Sequence, residues 1–143
     1  MDKLYHVEIG GKDYVLCATV NANLRIAEKY ESVQKCFGLI VGTDETTEGL
    51  LLASLSLLHW YLEEGCRRAA FDNVRRADGT EYEPIPLEAL GTLITGQELG
   101  LYVNVCAAAW IGGDAHEVDI EDDPKNAQSG GQKAGNGSSR KQG

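Results

Sequence analysis

The chain has 143 residues, of which 43% are hydrophobic, 24% charged and 7% aromatic, and its formal net charge is −9. This composition fits one small globular domain and excludes collagen-like, fully disordered and disulfide-scaffold chains. A negative charge of this size repels a phosphate backbone, so general nucleic-acid binding is not expected.

Two alternating segments near the N-terminus predict a β-hairpin. Residues 4–9 place Tyr5, Val7 and Ile9 on one face, and residues 14–19 alternate in the same way. Residues 10–13, Gly-Gly-Lys-Asp, predict the turn, because glycines supply the positive φ angles that a tight hairpin needs. Two strands alone are marginal in water, so we expect this hairpin to pack against the helices that follow.

Helical patterns follow the hairpin. Asn21 or Asn23 is expected to cap a first helix, and Ser32 a short second helix that Gly42 ends. A third helix is predicted to begin near Glu48 after the Thr-rich segment 43–47 and to reach at least residue 64. Its continuation past Gly65 to about residue 76 is left open by the pattern.

The rest of the predicted domain is also helical. An Asp78-Gly79 turn and an extended link at Pro84 and Pro86 lead to a short helix over residues 87–94. Thr95 is then expected to cap a last helix over residues 96–111. The predicted fold class is therefore α+β, mainly α: an N-terminal β-hairpin followed by about five helices within residues 1–111.

Residues 112–143 differ in composition from everything before them. They contain no Leu, Met, Phe, Trp or Tyr, and an acidic stretch at 117–123 gives way to a Gly- and Ser-rich, weakly basic end. Such a segment cannot bury enough apolar surface to offset its ordering entropy, so we predict a flexible tail. Three roles stay open for this tail: a solvated linker, a tether, or a segment that becomes ordered when it binds a partner.

Two of the predicted helices are apolar on nearly every face. Residues 49–62 read GLLLASLSLLHWYL, and residues 96–111 are likewise apolar on more than one face of the predicted helix. A small domain has limited interior, so we expect apolar surface to be left over for a partner. The alternative is that both helices form the central layer of a compact core. The partner-binding residues predicted from apolarity alone are Leu57, Trp60, Tyr61, Val103 and Trp110.

Chemically active motifs are sparse. The four cysteines are widely spaced and form no C-x-x-C pair, so we expect free thiols and no metal site. His59, Glu63 and Cys66 share a helix face and could be a nucleophile pair or metal ligands, but no further group is evident and a solvated face is favoured. Arg67, Arg68, Arg75 and Arg76 could contact nucleic acid, but charge that complements a helix C-terminus is favoured. The sequence predicts no catalytic residue and no cofactor.

No segment is predicted to enter a membrane. The longest nearly apolar run, residues 49–62, is too short to span a bilayer. The first residues, MDKLYHVEIG, lack the apolar core of a secretory signal, so the expected compartment is a cytosol.

The order of these features carries a family resemblance. The segment YHVEIGGKDYVLCATVNANLRIAEKY is followed by a short helix with Phe37-Gly38, a capping Thr/Glu segment, a long apolar helix, a Pro link, an apolar last helix and an acidic-to-polar tail. Over residues 4–111 this order resembles the tail assembly chaperones of long-tailed bacteriophages and prophages of Gram-positive hosts. It is also similar to gene-transfer-agent tail proteins.

The resemblance implies a mainly helical, non-enzymatic protein with a hairpin and without cofactors. Such a chaperone binds the long tape measure protein and keeps it soluble before tail tube subunits polymerise around it. The major tail tube protein is a second candidate partner, and homo-oligomerisation stays open. The implied location is the host cytoplasm, with no place in the mature virion.

Other functional classes stay open at this point. A structural tail component, such as a tube or completion protein, is the first alternative and would be richer in β-structure. A small acidic regulator that binds a basic protein is the second. An enzyme is the least favoured class.

Overall fold

The computed structural model describes residues 4–41 and 45–112. These residues form seven elements in chain order, namely β1 (Tyr5–Ile9), β2 (Lys12–Leu16), α1 (Val20–Tyr30), α2 (Val33–Val41), α3 (Glu48–Phe71), α4 (Leu87–Leu93) and α5 (Gly96–Ile111). The predicted fold class is confirmed: a mainly helical α+β chain that opens with a hairpin and continues with five helices in the described part. The predicted flexible tail, apart from Gly112, lies outside the described residues.

The hairpin is tighter than the sequence predicts. Ile9 pairs with Lys12, so only Gly10 and Gly11 form the turn, with φ angles of 60° and 80°. These positive φ angles fit a two-residue turn whose twist matches that of the strands. Placing Lys12 in the turn was therefore wrong, because Lys12 begins β2.

The second strand ends at Leu16, three residues earlier than the predicted strand over residues 14–19. The Cys17 amide donates to the carbonyl oxygen of Tyr61 in α3 at 3.0 Å, so this strand extension meets a helix instead of β1. Thr19 then caps α1, its side chain accepting from the Ala22 amide at 3.1 Å. The expected caps Asn21 and Asn23 lie inside α1 instead.

The 24-residue helix α3 is the central element. It begins after its cap Thr47 and runs without interruption through Gly65 to Phe71. The hairpin backbone crosses α3 at Gly65, where a Cβ atom would lie 2.1 Å from the carbonyl oxygen of Val15. The glycine therefore marks a close backbone approach within the helix.

The other helix boundaries follow local caps. The Ser32 hydroxyl accepts from the Lys35 amide at 3.0 Å, as predicted for α2. Thr95 forms a reciprocal capping box with Glu98 at the start of α5, and Gly112 ends that helix with a φ of 76°. Residues 42–44, which include the predicted stop at Gly42, lie outside the described part.

One main core joins the hairpin to the helices. The buried face of β1, with Tyr5, Val7 and Ile9, packs in the same cluster as the inner sides of α3 and α5. A smaller cluster forms beneath the irregular segment between α3 and α4 and contains Val15, Cys66, Ala69 and Tyr82. The hairpin thus contributes to both clusters and leaves the opposite end of the bundle to helices alone.

Candidate docking surface

Three helix ends meet at the end of the bundle away from the hairpin. Cys36 and Phe37 are neighbours in α2, and they contact two different helices. The Cys36 thiol lies 3.9 Å from the carbonyl oxygen of Ala53 in α3. The Phe37 ring stacks on Trp110 of α5, with centroids 4.8 Å apart and planes 14° apart. Through these two residues, the middle of α2 contacts the second turn of α3 and the last turn of α5.

Large apolar side chains are exposed around this meeting point. Val41, one turn beyond Phe37, is 74% exposed, and Ile111, next to Trp110, is 75% exposed. Leu51 and Leu52, immediately before Ala53, are also exposed. We call Val41, Leu51, Leu52 and Ile111 the bundle-end patch. Exposed apolar groups of this kind on a small protein are typical of partner sites.

The five residues predicted to bind a partner take two positions. Leu57, Tyr61 and Val103 are buried in the core, whereas Trp60 and Trp110 are half-buried at its edge. The Tyr61 hydroxyl donates to Oδ1 of Asn23 in α1 at 2.8 Å, and burial raises the pKa of that hydroxyl.

Partner contact by the three buried residues would require the helices to separate, so it stays a prediction. Trp110 differs, because it borders the bundle-end patch directly. Sequence reasoning did not single out Val41 or Ile111, although each lies at the end of an apolar stretch just before a glycine.

The helix face of His59, Glu63 and Cys66 does not assemble into a reactive site. His59 Nδ1 lies 3.1 Å from the carbonyl oxygen of Ile85, and Glu63 pairs with Arg25 at 3.6 Å. Burial raises the pKa of the Cys66 thiol to about 11, so the thiol is neutral near pH 7. Each residue thus has a different neighbour, and no group of three or more potential metal ligands occurs within residues 4–41 and 45–112.

The four arginines of the predicted basic cluster also separate. Arg67 pairs with Glu64 at 3.0 Å, Arg68 with Asp72 at 2.8 Å and Arg75 with Glu81 at 3.1 Å. Arg76 is buried instead, and its guanidinium lies between the rings of Tyr14 and Tyr82. These charges stabilise the chain's own fold and do not form a shared basic surface.

A shallow depression of about 550 Å³ lies where α1 meets α2. Its lining includes Tyr30, Gln34 and Leu39, together with the cationic Lys29 and Lys35. Lys35 is paired with Glu31 there. The depression is open and contains both signs of charge, so it resembles a surface groove more than a ligand pocket.

Comparison with protein-family models, curated proteins and solved structures gave no match. Among the described residues, no helix is both long enough and apolar enough to cross a bilayer. All four cysteines are buried thiols.

Proposed function

We propose that this chain is a non-enzymatic tail assembly chaperone of a long-tailed phage or prophage. It binds the tape measure protein in the host cytoplasm, keeps it soluble until the tail tube polymerises, and is left out of the mature virion. The observation that carries this proposal is the bundle-end patch, where four apolar side chains face solvent at the meeting of α2, α3 and α5.

The physical requirements of such a chaperone agree with this surface. A long helical client exposes a repeated apolar stripe, and an exposed apolar patch can cover one segment of that stripe without directional bonds. Many weak contacts along the client add to a high avidity and still release one by one when tube subunits arrive. The acidic exterior of the chain keeps the complex soluble.

The element order supports the same reading. Hairpin, two short helices, a long apolar helix, a Pro link and an apolar last helix are the features that carry the family resemblance, and all of them occur in the described chain. A β-rich tube or completion protein is less well supported, since strands within the described ranges are limited to the hairpin.

Co-expression tests the proposal directly. The candidate tape measure protein is produced alone, with this chain, and with the variant Val41→Ser/Ile111→Ser. We expect the native chain to raise the soluble fraction of the client several-fold and the double variant to lose most of that effect. The matched control is Val20→Ser/Leu24→Ser, which removes two exposed apolar side chains of α1 and should still solubilise the client. A client whose solubility the native chain does not change would contradict the proposal.

A further inference from the structure

Within residues 4–41 and 45–112, Lys and Arg occur in a few segments and are missing from the rest. No Lys or Arg occurs between Lys35 and Arg67 or between Arg76 and Lys125. These two stretches build the end of α2, most of α3, and all of α4 and α5. Every described Lys and Arg lies instead in the hairpin, α1, the first turn of α2, the end of α3 or the loop after it.

The exposed apolar side chains lie mostly in the stretches without Lys or Arg. In the part of the chain that the structure describes, eleven large hydrophobic residues are exposed, and eight of them belong to those stretches. They are Leu39, Val41, Leu51, Leu52, Leu87, Leu93, Leu101 and Ile111. The side chains that follow and precede them along the chain are therefore uncharged or acidic.

Helix ends make the bundle-end patch more negative. Both α2 and α5 end there, and neither has a basic residue in its last turn. Helix C-termini carry partial negative charge that a cation would normally offset. Glu48, in the first turn of α3, precedes Leu51 and Leu52 by three and four residues and so neighbours both on the helix surface, and Glu45 precedes the cap Thr47 by two residues. The charged residues nearest the patch along the chain and the helix ends beside it are thus negative, while Lys29 and Lys35 lie at the depression between α1 and α2.

We infer that the occupant of the bundle-end patch is an amphipathic helix of a partner chain, with an apolar stripe flanked by Lys or Arg. The apolar stripe covers Val41, Leu51, Leu52 and Ile111. The flanking cations meet Glu45, Glu48 and the carbonyl ends of α2 and α5. Complementary charge of this kind selects partners and speeds their encounter.

Two other occupants fit the charges less well. The chain's own tail separates the two features: Lys125, Lys133, Arg140 and Lys141 lie in residues 121–143, which hold no Val, Ile, Leu, Met or aromatic residue, whereas Val118 and Ile120 lie in the acidic stretch 117–123. A second copy would bring a patch that is itself apolar and negative, and like charges brought together oppose binding. A separate basic, amphipathic chain satisfies both requirements.

This inference deepens the proposed function, and it rests on that function only for the existence of a helical client. It names the chemistry of the client segment: a Leu- or Ile-rich helix face with cations beside it. Client segments with acidic flanks are expected to bind weakly.

Three synthetic helical peptides of equal length test the inference against the full chain. The first carries a Leu stripe with Lys flanks, the second the same stripe with Glu flanks, and the third Lys flanks with Ser in place of Leu. Binding is measured by calorimetry, and also by Trp110 fluorescence in a Trp60→Phe variant, in which Trp110 is the single tryptophan. We expect the Leu/Lys peptide to bind about tenfold more tightly than either of the others. Its preference over the Leu/Glu peptide should shrink as salt rises from about 0.05 to 0.5 M.

Two matched pairs of variants locate the binding site. Glu45→Gln/Glu48→Gln should lower affinity for the Leu/Lys peptide several-fold, while Glu8→Gln/Glu28→Gln makes the same charge change on the hairpin and α1 and should not. Val41→Ser/Ile111→Ser should weaken both Leu peptides, and Val20→Ser/Leu24→Ser should weaken neither. Unfolding midpoints of all four variants show whether a loss of binding reflects a loss of fold.

Each remaining outcome overturns the inference in a distinguishable way. Equal binding of the Leu/Lys and Leu/Glu peptides would contradict the role of charge in partner selection, but it would agree with a chaperone that binds its client through apolar contacts alone. Equal binding of the Leu/Lys and Ser/Lys peptides indicates an acidic regulator of basic proteins instead. Failure of both Leu peptides to bind removes the physical basis of the proposed function as well. A dimer of the free chain that Val41→Ser/Ile111→Ser abolishes in sedimentation would assign the patch to a second copy.

Discussion

Gly65 lies where the hairpin backbone crosses the central helix. A Cβ atom there would lie 2.1 Å from the Val15 carbonyl oxygen and 2.6 Å from the Cα atom of Leu16. Because both are backbone atoms, β2 itself would have to shift. We therefore expect Gly65→Ala to lower the free energy of unfolding by about 3 kcal/mol in urea denaturation followed by circular dichroism.

Gly100 of α5 provides the control for this substitution. Nothing lies within 4 Å of the position where its Cβ would be built. Alanine favours a helix over glycine by about 1 kcal/mol, so Gly100→Ala should raise the free energy of unfolding. Similar changes at both glycines would argue against the close approach as the reason for Gly65.

Arg76 fastens the irregular segment after α3 to the hairpin. Its Nε donates to the carbonyl oxygen of Asp13 at 2.6 Å, and Nη1 donates to that of Glu81 at 2.8 Å. The guanidinium lies 4.9 Å from the ring centroid of Tyr14 and 5.0 Å from that of Tyr82. Its Nη2 is buried without a hydrogen-bond partner.

We expect Arg76→Lys to lower the free energy of unfolding by about 2 kcal/mol, because an ammonium cannot reproduce a planar fork between two rings. Urea denaturation measures the change. Arg75→Lys alters an exposed arginine that pairs with Glu81, and it should cost less than about 0.5 kcal/mol. A loss at Arg75 as large as that at Arg76 would contradict the assignment of the loss to the contacts of the buried guanidinium.

The buried thiols make stability depend on alkaline pH. Burial raises the pKa of Cys36 and Cys66 from 9.0 to about 11. Burial, together with its hydrogen bond to Asp13, also raises the pKa of Tyr82, to about 12. Above the ordinary pKa of these groups, the unfolded chain loses protons that the folded chain retains, so ionisation favours unfolding.

Stability should therefore be constant with respect to these groups below about pH 9 and fall as the pH rises through 11. Urea midpoints measured at intervals over this range test the expectation. Cys66→Ala removes one of the groups, so its midpoint should decline less steeply than that of the native chain. An unchanged midpoint across the range, or identical slopes, would contradict the assignment.

Among the elements, the α5 start was predictable because all of its cap lies within four residues. The Thr95 hydroxyl accepts from the Glu98 amide at 3.2 Å, and the Glu98 carboxylate accepts from the Thr95 amide at 2.8 Å. The start of α1 was not predictable in this way. Asn21 and Asn23 are equally good local caps, but Asn23 is engaged by Tyr61, and Thr19 contacts Glu64. The choice among the three depends on α3, which lies about forty residues away in the sequence.

The candidate site shows the same limit on prediction. An apolar pattern predicts which residues of α3 and α5 share a face, and it predicted the two unusually apolar helices. It cannot show which of several apolar faces meets a neighbouring helix, so Leu57 and Tyr61 were placed at a partner surface although they are buried here. Val41 and Ile111 are exposed because helix ends have fewer neighbours, which depends on how the three ends meet.

Thr19 links one element to another, and its removal should cost more than removal of a simple cap. It accepts from the Ala22 amide and also donates to Oε1 of the buried Glu64 at 2.8 Å. We expect Thr19→Ala to lower the free energy of unfolding by about 2 kcal/mol, measured by urea denaturation. Thr47 of α3 caps the Leu50 amide from an exposed position, so Thr47→Ala should cost about 1 kcal/mol. Equal costs would show that the contact with Glu64 contributes little.

Over the whole molecule, exposed apolar groups stand in two different electrostatic surroundings. The charged residues nearest to the bundle-end patch along the chain are acidic. Phe71, which is 84% exposed, instead follows Arg67 and Arg68 by four and three residues in α3 and precedes Asp72. Lowering the pH towards the isoelectric point reduces the net negative charge of the chain and leaves arginines charged. The repulsion that keeps chains apart therefore weakens, while the positive charge near Phe71 is preserved.

This difference predicts which surface associates when net charge is lost. Near the isoelectric point of about 4.7, repulsion between chains is smallest, and apolar surfaces without nearby arginines should come together first. We expect dynamic light scattering to show reversible association as the pH falls from 7 towards this value. Val41→Ser/Ile111→Ser should reduce it strongly, while Phe71→Ser should leave it nearly unchanged because Arg67 and Arg68 keep their charge near that position. If Phe71→Ser suppressed association as much as the double variant, exposure alone would govern contacts between chains, and the charge segregation would have no effect on them.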